Sequence, residues 1–250
     1  MDWIIGGTKD SRCFLKSLIE FRENILVTTI SEYGKKLLDE YNLKVIVKAM
    51  EENEMLEFVE THNVKRIFDF THPYAINVSK NAMKVSKYKN IEYYRFNRKT
   101  YEYDNCIEFN RIEELVEFVS NLNGNILSTL GSNSVKKFEN LKNLKSIYFR
   151  VLPTVNAIQK VENIGVLAKN IIGIQGPFTK DFNCVIYKDY NIKYLITKES
   201  GDIGGEKEKI ESALKNNITV VILKKPLLNY SWETDDLKVI LKKFKENIGE

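Results

Sequence analysis

Gly6-Gly7-Thr8 stands directly after a short apolar run and directly before an amphipathic one. In that position a glycine turn can bring backbone amides close to a phosphate, with the partial positive charge of a helix N-terminus behind them. Ser11 and Arg12, one turn further along, offer a hydroxyl and a guanidinium to the same anion. The full GxGxxG fingerprint is absent, and any tight turn from strand to helix also favours glycine. A second cluster, Phe68-Asp69-Phe70-Thr71-His72-Pro73-Tyr74-Ala75, crowds Asp69, Thr71, His72 and Tyr74 together at the end of another apolar run. Thr71 or His72 before a Pro73 in first helical position would be ordinary helix-start chemistry, but four such polar groups exceed what capping needs. Gln175-Gly176-Pro177-Phe178 closes a third run, and Thr197-Lys198-Glu199-Ser200-Gly201 a fourth. The last places an amine, a hydroxyl and flexible backbone where an anion contact is expected, although a mobile surface loop would read the same way.

Other chemistries are excluded. No GxSxG stretch occurs, and two histidines, His62 and His72, cannot build a multi-histidine metal site. No structural metal is expected. Cys13, Cys106 and Cys184 are odd in number and far apart, so reduced thiols are expected rather than a disulfide framework. Acid pairs such as Glu51-Glu52 and the lysine runs at 224–225 and 242–245 read as solvated faces. The net charge of +4, from 38 Lys and Arg against 34 Asp and Glu, is too small and too mixed for a nucleic-acid protein and suits an anionic small molecule. No apolar run approaches the roughly 20 residues that span a bilayer, and the start lacks a basic segment followed by a long apolar one. A cytoplasmic location without membrane contact is expected.

To position these residues the chain must alternate strand and helix. Apolar, β-branched runs predict strands at 2–6, 24–30, 44–48, 65–70, 91–96, 105–109, 125–130, 146–151, 170–175, 192–197 and 218–223. Helical periodicity predicts helices at 10–22, 33–41, 51–62, 74–87, 111–121, 133–140, 155–162, 179–189, 205–216 and 233–247. The last should pack through Leu237, Ile240, Leu241 and Phe244. This is an α/β pattern of mainly parallel sheet flanked by helices. The run at 125–130 enters Gly131-Ser132-Asn133-Ser134 much as the first strand enters Gly6-Gly7-Thr8, so two similar halves are expected, 1–122 and 123–250.

Taken in order, GGTKDSR, FDFTHPYA, Tyr94-Arg95, STLGS, RVLP at 150–153, GIQGPFT and ITKESG before VVILKKP make a chain that resembles the precorrin-6A reductases of cobalamin biosynthesis. The resemblance spans residues 2–226. It implies two Rossmann-like domains facing a cleft, and NADPH-dependent reduction, with NADH as an alternative, of one carbon–carbon double bond of the precorrin-6A macrocycle to precorrin-6B. Any cobalt would arrive with the tetrapyrrole. Gly6, Gly7, Thr8, Ser11 and Arg12 match the family's first phosphate-type turn. Thr71 to Ala75 match its central block, Gln175, Gly176, Pro177 and Phe178 the third, and Thr197, Lys198, Ser200 and Gly201 the fourth. Cofactor contacts are therefore expected at the first turn, Ser31, Thr71 and 175–178. Arg95, Arg98, Arg150 and Lys198, with Ser200 and Gly201, are candidates for the substrate's acidic side chains. Asp69, His72 or Tyr74, or solvent, would supply the proton that matches the hydride. Where family members carry an acid after the second-half glycines, Lys207 stands here with Glu206 and Glu208 beside it. Ser31 and Lys35 suit a 2′-phosphate, whereas Glu32 suits a free ribose hydroxyl. Another NAD(P)-dependent reductase and a dinucleotide-binding sensor without turnover are the rival readings. A monomer or weak dimer is expected.

Overall fold

Strands such as Asp2–Ile5 and Ile25–Thr29 are buried along their whole length, as strands covered by helices on both faces must be. In the computed structural model, which describes residues 1–246, such strands build two six-stranded parallel sheets flanked by helices. Successive elements are β1 (Asp2–Ile5), α1 (Lys9–Lys16), β2 (Ile25–Thr29), α2 (Glu32–Lys36), β3 (Lys44–Val47), α3 (Glu52–Thr61), β4 (Arg66–Asp69), α4 (Ile76–Lys89) and β5 (Glu92–Phe96). There follow β6 (Cys106–Phe109), α5 (Ile112–Ser120), β7 (Asn125–Ser128), β8 (Ile147–Val151), α6 (Val155–Glu162), β9 (Ile171–Gly173), α7 (Lys180–Asp189), β10 (Ile192–Lys198), α8 (Glu206–Lys215), β11 (Thr219–Leu223), β12 (Glu233–Thr234) and α9 (Leu237–Lys245). The first sheet has the order β12-β5-β4-β1-β2-β3 and the second β6-β11-β10-β7-β8-β9. In each, the chain reverses direction across the sheet beside the strand that carries the glycine turn, β1 or β7, which is where open α/β sheets bind ligands.

The expected division at residue 122 is not where the chain divides. β6 pairs with β11 and so belongs to the second sheet, while β12 pairs with β5 in the first. One compact unit comprises Met1–Lys99 and the stretch from Pro226 onward; the other is Thr100–Lys225. The final helix packs as expected, with Ile240 and Phe244 buried in the first unit's core beside Phe14 and Phe68. Position 247 of its expected range lies outside the described residues. The helix expected at 133–140 is instead a 3-10 segment, Ser132–Phe138. There the Ser134 hydroxyl bonds back to the Gly131 carbonyl, a local alternative to the α-helical ladder. The helix expected at 10–22 breaks at Lys16 into α1 and a 3-10 turn, Ile19–Asn24.

One buried ion pair ties the closing helix to the first strand. Arg66 donates Nε and Nη2 to the two oxygens of Asp2, at 2.8 and 2.6 Å, and its Nη1 to the Phe244 carbonyl at 3.0 Å. The guanidinium thereby satisfies a carbonyl at the C-terminal end of α9, where a cation also suits the helix dipole. Replacing Asp2 with Ala leaves that guanidinium buried without its carboxylate. A loss of about 3–5 kcal/mol is expected, read as a lower midpoint in urea unfolding monitored by far-ultraviolet circular dichroism.

Candidate active site

Gly7 follows β1 with φ +93°, a backbone region that side chains disfavour, and a Cβ there would meet nothing within 4 Å. Among the described residues no acceptor faces its amide. Thr8 then caps α1: its Oγ1 accepts from the Ser11 amide at 3.1 Å and donates to the Phe70 carbonyl at 2.9 Å, locking the turn to the end of β4. Ser11 is fully buried, accepts from the Thr8 amide and donates to the Thr8 carbonyl. Over this turn lies a cavity of about 290 Å³, lined by Gly6, Gly7 and Thr8, by Thr29 at the end of β2 and Ile30 after it, and by Thr71 and His72 after β4.

The second wall of that cavity rests on a buried network. Asp69, with no exposed surface, accepts from the Thr71 amide (2.8 Å), Ser79 Oγ (2.6 Å), Tyr93 OH (2.5 Å) and Arg95 Nη1 (2.7 Å). Burial would raise its pKa, but the Arg95 charge and the donated hydrogen bonds outweigh burial and hold the carboxyl below the usual range. Burial, and next the charge of Asp69, hold the Tyr93 phenol well above its ordinary value, so it remains a donor. Arg95 is also fully buried, donates to Thr71 Oγ1 and to the Thr71 carbonyl, and stacks over Tyr230. Two expected site residues are engaged with each other: Asp69, a candidate proton donor, accepts four hydrogen bonds in this network, and Arg95, a candidate for the substrate, is taken up by Asp69 and Thr71. The helix expected from 74 starts at Ile76, because residues 72–75 form a turn closed by the Ala75 amide on the His72 carbonyl. His72 and Tyr74 stay partly exposed, with rings 5.7 Å apart.

The second unit has a cavity of about 260 Å³ at the same edge of its own sheet. Gly131 after β7, Arg150 of β8, the cis-linked Gly176-Pro177, Phe178, Gly204, Gly205 and Lys209 line it. Arg150, 7% exposed, donates to Asn183 Oδ1 at 2.8 Å and lies 4.9 Å from the centroid of the Phe178 ring. Among the described residues it has no carboxylate partner, and burial lowers its pKa. Lys209, also 7% exposed, brings an amine into the same cavity. The loop after β10 is held by Glu206, whose buried carboxylate accepts from the Ser200 and Gly201 amides. Of the three residues that follow the second-half glycines, Glu206 is the acid that holds this loop, while Lys207 lies on the exposed side of α8. A side chain at Gly204 would collide with that of Ser200, and Gly205 takes φ +60°.

The remaining expected residues divide. Gly176, Pro177 and Phe178 line the second unit's cavity, whereas Gln175 is exposed and outside its lining. Ser31 is exposed, caps α2 by accepting from the Gly34 amide, and lies outside the first unit's cavity lining. Arg12 lies outside that lining too, and Ser11 is consumed by the cap. Arg98 pairs with Asp10 at 2.8 Å in the first turn of α1. Lys198 ends β10 partly buried. Lys209 was missed, yet it falls beside Ile210 and one turn before Ala213 on the buried stripe of α8, where a solvated lysine does not belong.

The model of the precorrin-6x reductases CbiJ/CobK matches residues 3–245. The chain belongs to the precorrin-6x reductase family. Within it, a cobalt-precorrin-6A reductase of Methanocaldococcus jannaschii is 35% identical over 96% of both chains. A second, from Priestia megaterium, is 31% identical over 91% of both. A solved structure of CobK precorrin-6A reductase superimposes with a TM-score of 0.79 over 97% of this chain and 95% of that one, at 14% identity. The precorrin-6x reductases are thus the source of both the paired sheets and the oxidoreductase class of this protein. Among the described residues no helix is long and apolar enough to cross a membrane, and no three potential metal ligands converge.

Proposed function

We propose that this chain reduces one carbon–carbon double bond of cobalt-precorrin-6A, giving the dihydro macrocycle, with NADPH as reductant. The observation that carries the substrate class is the buried Arg150 guanidinium, with the Lys209 amine in the same cavity and no carboxylate among its lining residues. A desolvated guanidinium beside an amine able to take up a proton calls for an anionic ligand, and the substrate is a polycarboxylate. Lys198, Ser200 and Gly201, at the end of β10, belong to the same binding edge in this reading.

The first unit is the dinucleotide site. The open space over Gly7 and its unpartnered amide fit a phosphate oxygen, and the cavity between the ends of β1, β2 and β4 fits the rest of the nucleotide. When bound, the reduced nicotinamide supplies the hydride. Thr8 fixes the glycine turn, while Asp69 and Arg95 fix Thr71 and the block beyond it. Lys35, in α2, is the cation offered to a 2′-phosphate, with Glu32 in the first turn of the same helix as its competitor. With Asp69 assigned to scaffolding, His72 and Tyr74 remain the side chains able to give the matching proton, beside solvent. The three free cysteines suit a reducing, cytoplasmic setting.

The test is anaerobic oxidation of NADPH and NADH followed at the nicotinamide band, with cobalt-precorrin-6A and with metal-free precorrin-6A. Oxidation dependent on either tetrapyrrole supports the reading, and dinucleotide binding without oxidation by either overturns it. Gly7→Ala should weaken NADPH binding at least roughly tenfold, because its methyl projects into the space assigned to the phosphates and its φ costs about 1–2 kcal/mol. Fluorescence titration of the reduced nicotinamide reads that change.

A further inference from the structure

Lys209 enters the second unit's cavity from the first turn of α8. Among the described residues it has no ion-pair partner. Its helix position sets a cation at the positive end of the dipole, and Arg150 brings a second positive charge from β8. Among the described residues no element packed on α8 brings a carboxylate into an ion pair with the amine. From β10 comes another cation, Lys198, and β11 presents no titratable side chain. On α7, Tyr187 donates its hydroxyl to the Lys209 carbonyl, and Lys180 pairs with Glu211 on the outer face. Asp202, before α8, accepts from Tyr101. On α8 itself one oxygen of Glu206 accepts from the Ser200 and Gly201 amides, and the charges of Glu206 and next Glu208 oppose, without overcoming, the effects of burial and of Arg150 on the amine.

We infer that a carboxylate entering this cavity is bound together with a proton, which Lys209 takes from solvent as the anion arrives. Before the ligand enters, a neutral amine spares the fold a second buried cation. Afterwards the ammonium and the Arg150 guanidinium share one carboxylate. The proton moves from water to Nζ, no bond to carbon forms and nothing is oxidised. Burial, and next the charge of Arg150, push the free amine down to about 7, so the amount of proton taken up depends on pH in the neutral range. The inference rests on the reading above that this cavity receives a carboxylate of the tetrapyrrole.

The test is anaerobic calorimetric titration of the full chain, without dinucleotide, with cobalt-precorrin-6A in ACES, HEPES and Tris. The slope of observed enthalpy against buffer ionisation enthalpy counts protons taken up. Uptake is expected to be a fraction of a proton near pH 7, larger at pH 8 and smaller at pH 6. In Lys209→Arg, permanently charged, the ligand should still bind while that component of uptake disappears. Lys209→Met should remove the same component and bind at least roughly tenfold more weakly, which keeps the comparison if the arginine variant does not fold. Equal uptake by wild type and both Lys209 variants, with binding still weakened in Arg150→Met, overturns the inference alone. Undiminished binding in Arg150→Met removes the cavity as the carboxylate site, and the inference fails with it.

Discussion

Replacing Arg150 with Met is expected to lower kcat/KM by roughly two to three orders of magnitude while leaving the thermal midpoint unchanged or raised. The two effects have one cause. In the free protein the guanidinium is buried with a neutral partner, Asn183, and no carboxylate among the described residues, so it weighs against folding. Met retains the apolar contact with Phe178 and removes the desolvated charge. With an anionic ligand present, the same charge is the partner of a buried carboxylate, and truncating one side of such a pair costs about 2–5 kcal/mol. Arg150→Lys should recover little activity, because a point charge cannot reproduce the planar fork donating to Asn183 while stacked on Phe178. Steady-state kinetics with NADPH and cobalt-precorrin-6A, beside a thermal melt, read both effects; a variant that loses activity and stability together would show Arg150 to be scaffold.

Asp69→Asn is expected to do the reverse, destabilising first and losing activity as a consequence. The substitution keeps the volume and leaves the Arg95 guanidinium fully buried without its counter-charge. Removing one partner of a buried pair costs about 3–5 kcal/mol, which lowers the melting midpoint by roughly 10 °C in a chain of this size. The pH dependence identifies the cause. The folded-state pKa of Asp69 lies below its ordinary value, so its contribution is fully present above the unfolded pKa of about 4 and is lost as the pH falls through the folded one. The stability gap between wild type and variant should therefore be constant from pH 5 to 8 and narrow on acidification. A gap that does not narrow would assign the loss to packing instead of charge.

Much of the fold was legible because local chemistry and long-range order agree in it. Strands buried on both faces need unbroken apolar runs, and Gly7 and Gly131 stand in the equivalent turns after β1 and β7, each at positive φ. The partition of the chain was not legible. β6 carries a short, half-exposed pattern, and its choice of β11 is a pairing preference that no local signal in Cys106–Phe109 records. The site divides in the same way. Gly6, Gly7, Thr8, Thr71 and His72 line one cavity because they follow adjacent strands. Asp69 and Arg95, both expected to do chemistry, are cross-strand neighbours in register, and that register turns two charged candidates into each other's partner. Lys209 was readable only by asking why a lysine occupies the apolar stripe of α8.

The return of the chain from Lys225 to Pro226 also orders events during synthesis. The second unit is continuous in sequence and can close as soon as β11 has left the ribosome, whereas the first must wait. Until the closing helix emerges, Phe14, Phe68 and Tyr94 lack the cover that Ile240 and Phe244 later provide, and β5 is left without its neighbour. The nascent first unit therefore presents an apolar face and an open strand edge throughout translation of the 126 residues of the second, the kind of surface that binds chaperones or aggregates. The part of the chain made first is the part that is finished last.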